Sequence, residues 1–445
     1  MRRLLSIALL LLVACGKNPE GSGGTPDKTP EGDSDSPVRI RGLLVVHVPV
    51  RPPSDSLLGA YALLGDGSRF RQPLDENGDA RFEDAAIVGP QDISIVFVRP
   101  PSDAQVEVYT LLGFNQPEAW LNHPFGSSPQ PTKQSTVSGK TTGMSGSGEL
   151  WVHSVGDMGS DHETIDEQGH FSLDVLGTAS GQATLFAQER AVDGDRNLLR
   201  VGLMRGITVG GDQPVTGVEI ALDHAVDQSL QVGVEGLQAY GENVSADLSH
   251  YEGMTELFRT DAFGPLPLQV KTVARTPPFD TTRVMLSVRL GGRELMGGEA
   301  VAEMPVASMA SAASVKVLAP MLFDSPTVGP KKAPPAVARS GLVVRWSADP
   351  EAQMHRLGIG GAAGQDRRIT WTVWAPPSIT FFTPFILPAE VAPVSTFPTG
   401  LHSIEIDAFS RADVKAFEDF FSRDELHDGV VAQRSTKLLR YVDFQ

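Results

Sequence analysis

Apolar and polar residues alternate with a period of two along much of this chain. Ser229-Leu230-Gln231-Val232-Gly233-Val234 and Ile369-Thr370-Trp371-Thr372-Val373-Trp374 show it most plainly. Such alternation marks a strand with one buried face. Clusters of Gly, Pro, Asn and Asp interrupt it every 8 to 15 residues or so, roughly the spacing that short antiparallel strands require. One stretch follows a helical spacing instead. Ser410 is placed to cap it, Asp413 comes three residues later, and Val414, Phe417, Phe420 and Phe421 form a stripe that Gly429 would stop. The stripe reads as core packing. The 45 Gly and 33 Pro suit loop-rich β domains and disfavour a helical bundle. The expected fold is mainly β, built of tandem β-sandwiches with one C-terminal helix.

The N-terminus follows a different pattern. Arg2 and Arg3 precede an apolar run from Leu4 to Val13, broken only by Ser6. A helix needs roughly 20 residues to cross a bilayer core about 30 Å thick, so this run has the length of a signal-peptide core. It ends in Leu12-Val13-Ala14-Cys15-Gly16, which resembles the lipobox of bacterial lipoproteins. The resemblance implies cleavage before Cys15, with residues 1–14 removed, and lipidation of that cysteine. Cys15 is the only cysteine in 445 residues, so no intramolecular disulfide or cysteine-rich zinc cluster can form. Two or three acyl chains would anchor the protein stably without a transmembrane helix. Gly16, in place of the Asp familiar as an inner-membrane retention signal, leans toward the outer membrane of the cell envelope. Residues 16–37 carry no aromatic and no large aliphatic side chain, so 15–37 reads as a lipidated, flexible tether spanning about 25 Å.

The rest divides by composition into a β domain at 38–113, a linker at 114–132, a sandwich at 133–225, a β domain at 226–318, a Pro-rich linker at 319–339 and a final β domain at 340–445. Two internal echoes support repeated β elements. Val50-Arg51-Pro52-Pro53-Ser54-Asp55 recurs as Val98-Arg99-Pro100-Pro101-Ser102-Asp103, and each copy is followed by Tyr-x-Leu-Leu-Gly, at 61–65 and 109–113. Asp75-Glu76-Asn77-Gly78 and Asp166-Glu167-Gln168-Gly169 each lead into a strand. With Val137-Ser138-Gly139-Lys140 and Gly217-Val218-Glu219-Ile220-Ala221-Leu222, the second of these resembles the carboxypeptidase regulatory-like, or transthyretin-like, β-sandwich over about residues 135–222. It departs from that pattern at Ala183, where Tyr is usual. The resemblance implies an Ig-like sandwich that presents loops; it does not imply peptidase activity.

A formal charge of −17, two units more negative once Arg2 and Arg3 leave, argues against a nucleic-acid partner, which calls for basic patches. Candidate chemistry is sparse. His153, His162 and His170 lie in an acidic stretch that could ligate a metal, although His162-Glu163-Thr164-Ile165-Asp166 lacks the second histidine of a zinc-protease helix. Asp193-Gly194-Asp195-Arg196-Asn197 and Asp75-x-Asn77-x-Asp79 alternate oxygen donors like a calcium loop, but lack its Gly and closing Glu and read better as hairpin turns. Gly358-Ile359-Gly360-Gly361-Ala362-Ala363 reads as a glycine loop, because no helix follows to receive a phosphate. Gly143 to Gly148 lacks the register of a nucleophile elbow. Trp374 shares a strand face with Thr370 and Thr372 and is a candidate for stacking on a sugar or a partner, unless another element covers it. The sequence therefore implies no cofactor and no catalytic residue. It reads as an exported, membrane-anchored protein with a non-enzymatic binding, adhesion or envelope-organising role toward a protein or polysaccharide. A surface hydrolase or metal-dependent enzyme, and an accessory subunit of an export or assembly complex, are the alternatives.

Overall fold

The computed structural model describes residues 39–49, 57–100, 105–121 and 134–445, apart from 147, 156–161, 165, 167, 177–180, 193–196, 210–212, 242–243, 254, 293, 296, 308–309, 362–367, 393–394 and 423–430. The described part is mainly β. Its dominant feature is a sheet of thirteen strands. In spatial order they run Thr255–Gly264, Val244–Glu252, Arg283–Gly291, Glu299–Pro305, Gln433–Phe444, Gly400–Arg411, Met354–Gly361, Arg368–Ala375, Gln105–Phe114, Gln91–Val98, Gly59–Leu64 and Phe70–Pro73, with Ala336–Val337 beside Gln433–Phe444. Neighbours along this order are antiparallel except at one place. Arg368–Ala375 pairs in parallel with Gln105–Phe114, from Arg368 opposite Gln105 to Trp374 opposite Leu111. That contact joins segments that the composition assigned to the first and last domains.

Three cores flank the sheet. On one face, Val106, Val108, Leu357, Ile359, Ile369, Trp371, Ile404 and Ile406 pack under the small sheet of Leu322–Ser325, Val344–Ser347 and Phe381–Phe382. Farther along the same face, Val244, Leu248, Leu286 and Ala300 meet the sheet of Leu268–Thr272, Gln228–Glu235 and Ala312–Lys316. On the opposite face, Ala62, Leu64, Ile95, Phe97 and Leu111 pack against Asp79–Val88, Arg41–His47 and Glu118–Trp120. Ile95 and Val96 thus enter different cores, because successive side chains of a strand point to opposite faces. Burial on both faces explains why Ile93 to Val98 is continuously buried.

The repeats have a structural basis. Tyr61–Gly65 and Tyr109–Gly113 run along the two strands that flank Gln91–Val98. Each copy closes on a glycine in the left-handed region, φ 60° at Gly65 and 62° at Gly113. Asp92 engages both: its carbonyl accepts from Gly65 N (2.8 Å) and its Oδ1 from Gly113 N (2.8 Å). The Pro-Pro segments at 50–56 and 101–104 lie outside the described residues.

Residues 134–225 form a two-sheet sandwich around Val137, Val152, Val175, Leu185 and Ile220. One sheet holds His162–Thr164, Gly148–Val155, Gln182–Ala191, Leu198–Thr208 and His224–Ala225; the other holds His170–Leu176, Gln134–Thr142 and Val215–Ala221. It is docked on the next sandwich through a shared apolar cluster of Phe186, Val201, Leu203, Phe258 and Phe279. Phe186 stacks on Phe258 with centroids 5.5 Å apart. At the rim, Arg205 Nε and Nη2 donate to Glu252 Oε1 and Oε2 (2.5 and 2.7 Å), and Nη1 donates to the Pro278 carbonyl (2.8 Å).

Two sequence expectations need correction. The C-terminal helix is absent among the described residues. Ser410, its expected cap, lies inside Gly400–Arg411 opposite Arg434, where strand pairing claims its backbone. Only Phe417–Phe421 turns, as a single 3-10 turn that puts Phe417, Phe420 and Phe421 into the core. The Asp419 carboxylate accepts from Lys415 N and Ala416 N (both 2.9 Å), tying down the start of that turn. The expected stop, Gly429, lies outside the described residues. The second correction concerns Gly358, Gly360 and Gly361, which are strand residues of Met354–Gly361 and not a loop. Residues 319–339, read as a linker, include two short strands and lie along Gln433–Phe444, with Gly329 N donating to Tyr441 O (3.0 Å) and Asp443 N to Pro335 O (2.8 Å).

Three histidines are buried and neutral. His250 stacks on Phe258 (4.2 Å), its Nε2 lies 3.0 Å from Thr272 Oγ1, and its Nδ1 has no hydrogen-bond partner. Burial, reinforced by the Arg275 charge, holds its pKa down at about 3. Burial also lowers His355, whose Nδ1 accepts from Trp346 Nε1 (3.1 Å), and His402, whose Nδ1 donates to the Gly400 carbonyl (2.9 Å). These rings take up a proton far more readily once unfolded. Their stabilisation is complete above about pH 6.5 and is lost as pH falls toward the folded values, at about 1.4 kcal/mol per pH unit for each fully shifted histidine. Asp407, raised by burial, works in the opposite sense, because a raised carboxyl stabilises more as pH falls toward its unfolded value.

Two outcomes are expected. The guanidinium unfolding midpoint of the parent relative to that of His250→Gln is constant above pH 6.5 and falls from pH 6 to 4, a difference that leaves out the opposing Asp407 contribution shared by both proteins; a difference that does not change with pH contradicts the assignment. In the joint between sandwiches, Phe258→Ala costs about 3–5 kcal/mol. Arg205→Ala, at a half-exposed pair, costs about 1 kcal/mol. Denaturant titration of the two variants gives the comparison.

Candidate functional site

Over the strands from Arg368–Ala375 to Glu299–Pro305, the face of the long sheet turned away from the first two cores carries polar residues and glycine. Cross-strand register sets them in rows. Tyr109, Thr372, Gly358, Glu405 and Leu439 stand opposite one another in turn, as do Trp374, Arg356, Asp407, Lys437 and Glu299. These residues occupy the alternate positions to Trp371, Ile359 and Ile406, and alternation alone places them here.

The charges on this face are paired. Arg356 Nη2 donates to Glu405 Oε1 (2.8 Å) and lies 2.5 Å from Asp407 Oδ2, outside hydrogen-bonding geometry. Lys437 Nζ lies 3.2 Å from Glu405 Oε1 and 3.8 Å from Asp407 Oδ1. Asp407 is 1% exposed. Burial pushes its carboxyl up to about 7, against the pull of Arg356 and Lys437. A proton can therefore reside there near neutrality, but two cations roof the group, so it holds this cluster together and faces no open space. At the other end, Glu107 accepts from Arg99 Nε (2.8 Å) and from the Tyr109 hydroxyl (3.1 Å). Burial, then the Glu107 charge, push the Tyr109 phenol well above its usual range.

Trp374 belongs to this setting. Its half-buried ring stacks on Tyr109 (5.8 Å, 17°) and meets Phe421 edge-on (5.8 Å). The Phe417–Phe421 turn is thus the element that covers it.

The histidine candidates separate. His153 and His162 face each other in backbone register on adjacent strands of one sheet. The His153 ring accepts from Gln188 Nε2 (2.7 Å) and packs near Trp151 and Phe186. His170 is exposed on the other sheet, with Nδ1 3.1 Å from Asp166 Oδ2. Among the described residues, no group of three or more His, Cys, Asp or Glu is placed to hold a metal. Asp193 and Asp195 lie outside the described residues, as does Cys15.

The two acidic echoes share one turn. Asp75 Oδ1 accepts from Asn77 N and Asp79 N (2.8 and 2.9 Å), and Asp166 Oδ1 accepts from Gln168 N and His170 N (3.0 and 2.8 Å). Both place glycine in the left-handed region, φ 86° at Gly78 and 87° at Gly169. The carboxylates therefore serve the turn. Ser145 is similarly engaged: its amide and hydroxyl donate to the fully buried Glu189 (Oγ–Oε1 2.5 Å), which pins the glycine-rich segment.

Sequence reasoning missed Arg356, Glu405, Asp407 and Lys437. Their alternation was available, for example Ser403, Glu405 and Asp407 between apolar residues. Their convergence depends on register between strands far apart in sequence, which the pattern does not encode.

No protein-family model and no curated protein matches the chain. Among solved structures, it is similar to a Ca²⁺-stabilised, ice-binding adhesin of an Antarctic bacterium, at 11% identity, 92% of this chain, 100% of that one and a TM-score of 0.16. A second likeness is to a 1.5-MDa bacterial ice-binding adhesin, at 10% identity, 58% and 94% coverage and a TM-score of 0.13. A third is to the N-terminal four Ig domains of Dscam1, at 8% identity, 91% coverage of both chains and a TM-score of 0.14.

Proposed function

We propose that the chain is an exported lipoprotein, anchored through Cys15 at the outer membrane, whose β body acts in binding, adhesion or envelope organisation without catalysis. One observation carries the non-enzymatic part. Among the described residues, the groups with the most displaced proton affinity near neutrality, Asp407, His250, His355 and His402, are enclosed in cores or beneath ion pairs. General acid–base work needs such a group within hydrogen-bond reach of a substrate. What the body presents instead is a broad, charge-paired sheet face on strands stiffened by shared cores. No helix of the described residues is long and apolar enough to cross a membrane.

The anchor is tested by fractionation. Cys15→Ser abolishes labelling by a fatty-acid probe, and the protein either leaves the detergent-soluble envelope fraction or stays there with its leader uncleaved. Unchanged fractionation and unchanged labelling contradict the proposal.

A further inference from the structure

A cavity of about 320 Å³ opens where the first and last segments of the chain meet. Its apolar wall consists of Leu112, Ile379 and the rings of Phe381, Phe382 and Phe385; its polar wall includes Asp66, Asp92 and Thr110. No Lys, Arg or His lines it.

The rings are held in place. Phe382 and Phe385 meet the buried Trp371 edge-on, at 5.4 and 4.9 Å. Phe381 is 48% exposed. The Arg345 guanidinium already sits 5.1 Å from the centre of its ring, although Arg345 does not line the cavity. The carboxylates are fixed as well. Asp92 Oδ1 accepts from Gly113 N (2.8 Å) and Asp66 Oδ1 from Ser68 N (2.9 Å). Thr110 Oγ1 is committed to Ser94 Oγ (2.7 Å) and to Trp371 Nε1 (2.9 Å) and offers little to a ligand.

Aromatic faces beside anionic groups, with no cation among the lining residues, suit a cation that is apolar on its surface. Ring quadrupoles attract such a charge, and quaternary ammonium groups are the recurrent case. The volume lies at the small end of ligand sites, so it takes a head group and not a whole polymer. We propose that this cavity binds a quaternary ammonium head, the chemistry of a choline group. The site is independent of the anchor at Cys15 and of the open sheet face.

The test uses the full-length protein in detergent, titrated calorimetrically with choline chloride, with Nα-acetyl-lysine amide and with 3,3-dimethyl-1-butanol, the uncharged isostere of choline. Choline binds saturably, and both the uncharged isostere and the lysine amide bind at least tenfold more weakly. Asp92→Asn, which keeps an acceptor for Gly113 N, and Phe381→Leu each weaken binding tenfold or more, with unfolding midpoints close to the parent. Equal affinity for choline and either of the other two probes overturns the proposal, as does the absence of saturable choline binding. Neither result bears on the anchored binding role, which fractionation tests separately.

Discussion

The parallel pairing of Gln105–Phe114 with Arg368–Ala375 is the contact on which the rest of the long sheet depends. It brings together residues more than 250 positions apart and buries both strands on the core face. Trp371 lies 2% exposed at its centre, with Nε1 donating to Thr110 Oγ1, which in turn bonds Ser94 Oγ (2.9 and 2.7 Å). Three strands are thereby linked by one chain of buried hydrogen bonds, each polar atom satisfied where leaving it unpaired would cost about 1–3 kcal/mol. Closing so long a loop carries an entropic cost before any contact forms, so this junction belongs to the slow, non-local part of folding.

From that junction the remaining architecture follows. Strands near it are buried on both faces, as Ile95 and Val96 show by entering different cores. Farther along, from Met354–Gly361 to Glu299–Pro305, one face is buried in a core and the other, beyond Met354 and Phe409, presents Arg356, Glu405 and Lys437 with their charges paired. The sandwich of residues 134–225 is attached at the far end through Phe186, Phe258 and the Arg205–Glu252 pair. The ammonium-binding cavity sits at the junction itself, because the Asp92 carboxylate and the Phe381–Phe385 loop come from its two sides.

Much of this was legible in the residues. Alternation at Ile369 to Trp374 placed Ile369, Trp371 and Val373 on the buried face, and the Tyr-x-Leu-Leu-Gly repeat became two strands flanking a third. The acidic echoes at Asp75 and Asp166 became one turn type used twice. The helix expected from Ser410 to Gly429 failed over its described part because its spacing was real only over five residues, while the ladder with Gln433–Phe444 claimed Ser410 and Arg411. Gly358 and Gly360 were read as a loop because no helix follows them; glycine weakens a strand interior, and here neighbours on both sides supply the pairing. The charged cluster of Arg356, Asp407 and Lys437 was not legible, since strand order and register across more than 80 residues decide it.

Native-state hydrogen exchange followed residue by residue tests the junction most directly. The amides of Gln105–Phe114 and Arg368–Ala375 are expected to open together, with one free energy and one response to denaturant. Exchange of one strand through a smaller opening while the other stays protected would show that the two segments fold apart. The continuous sheet would then be wrong, and the cavity at the junction with it.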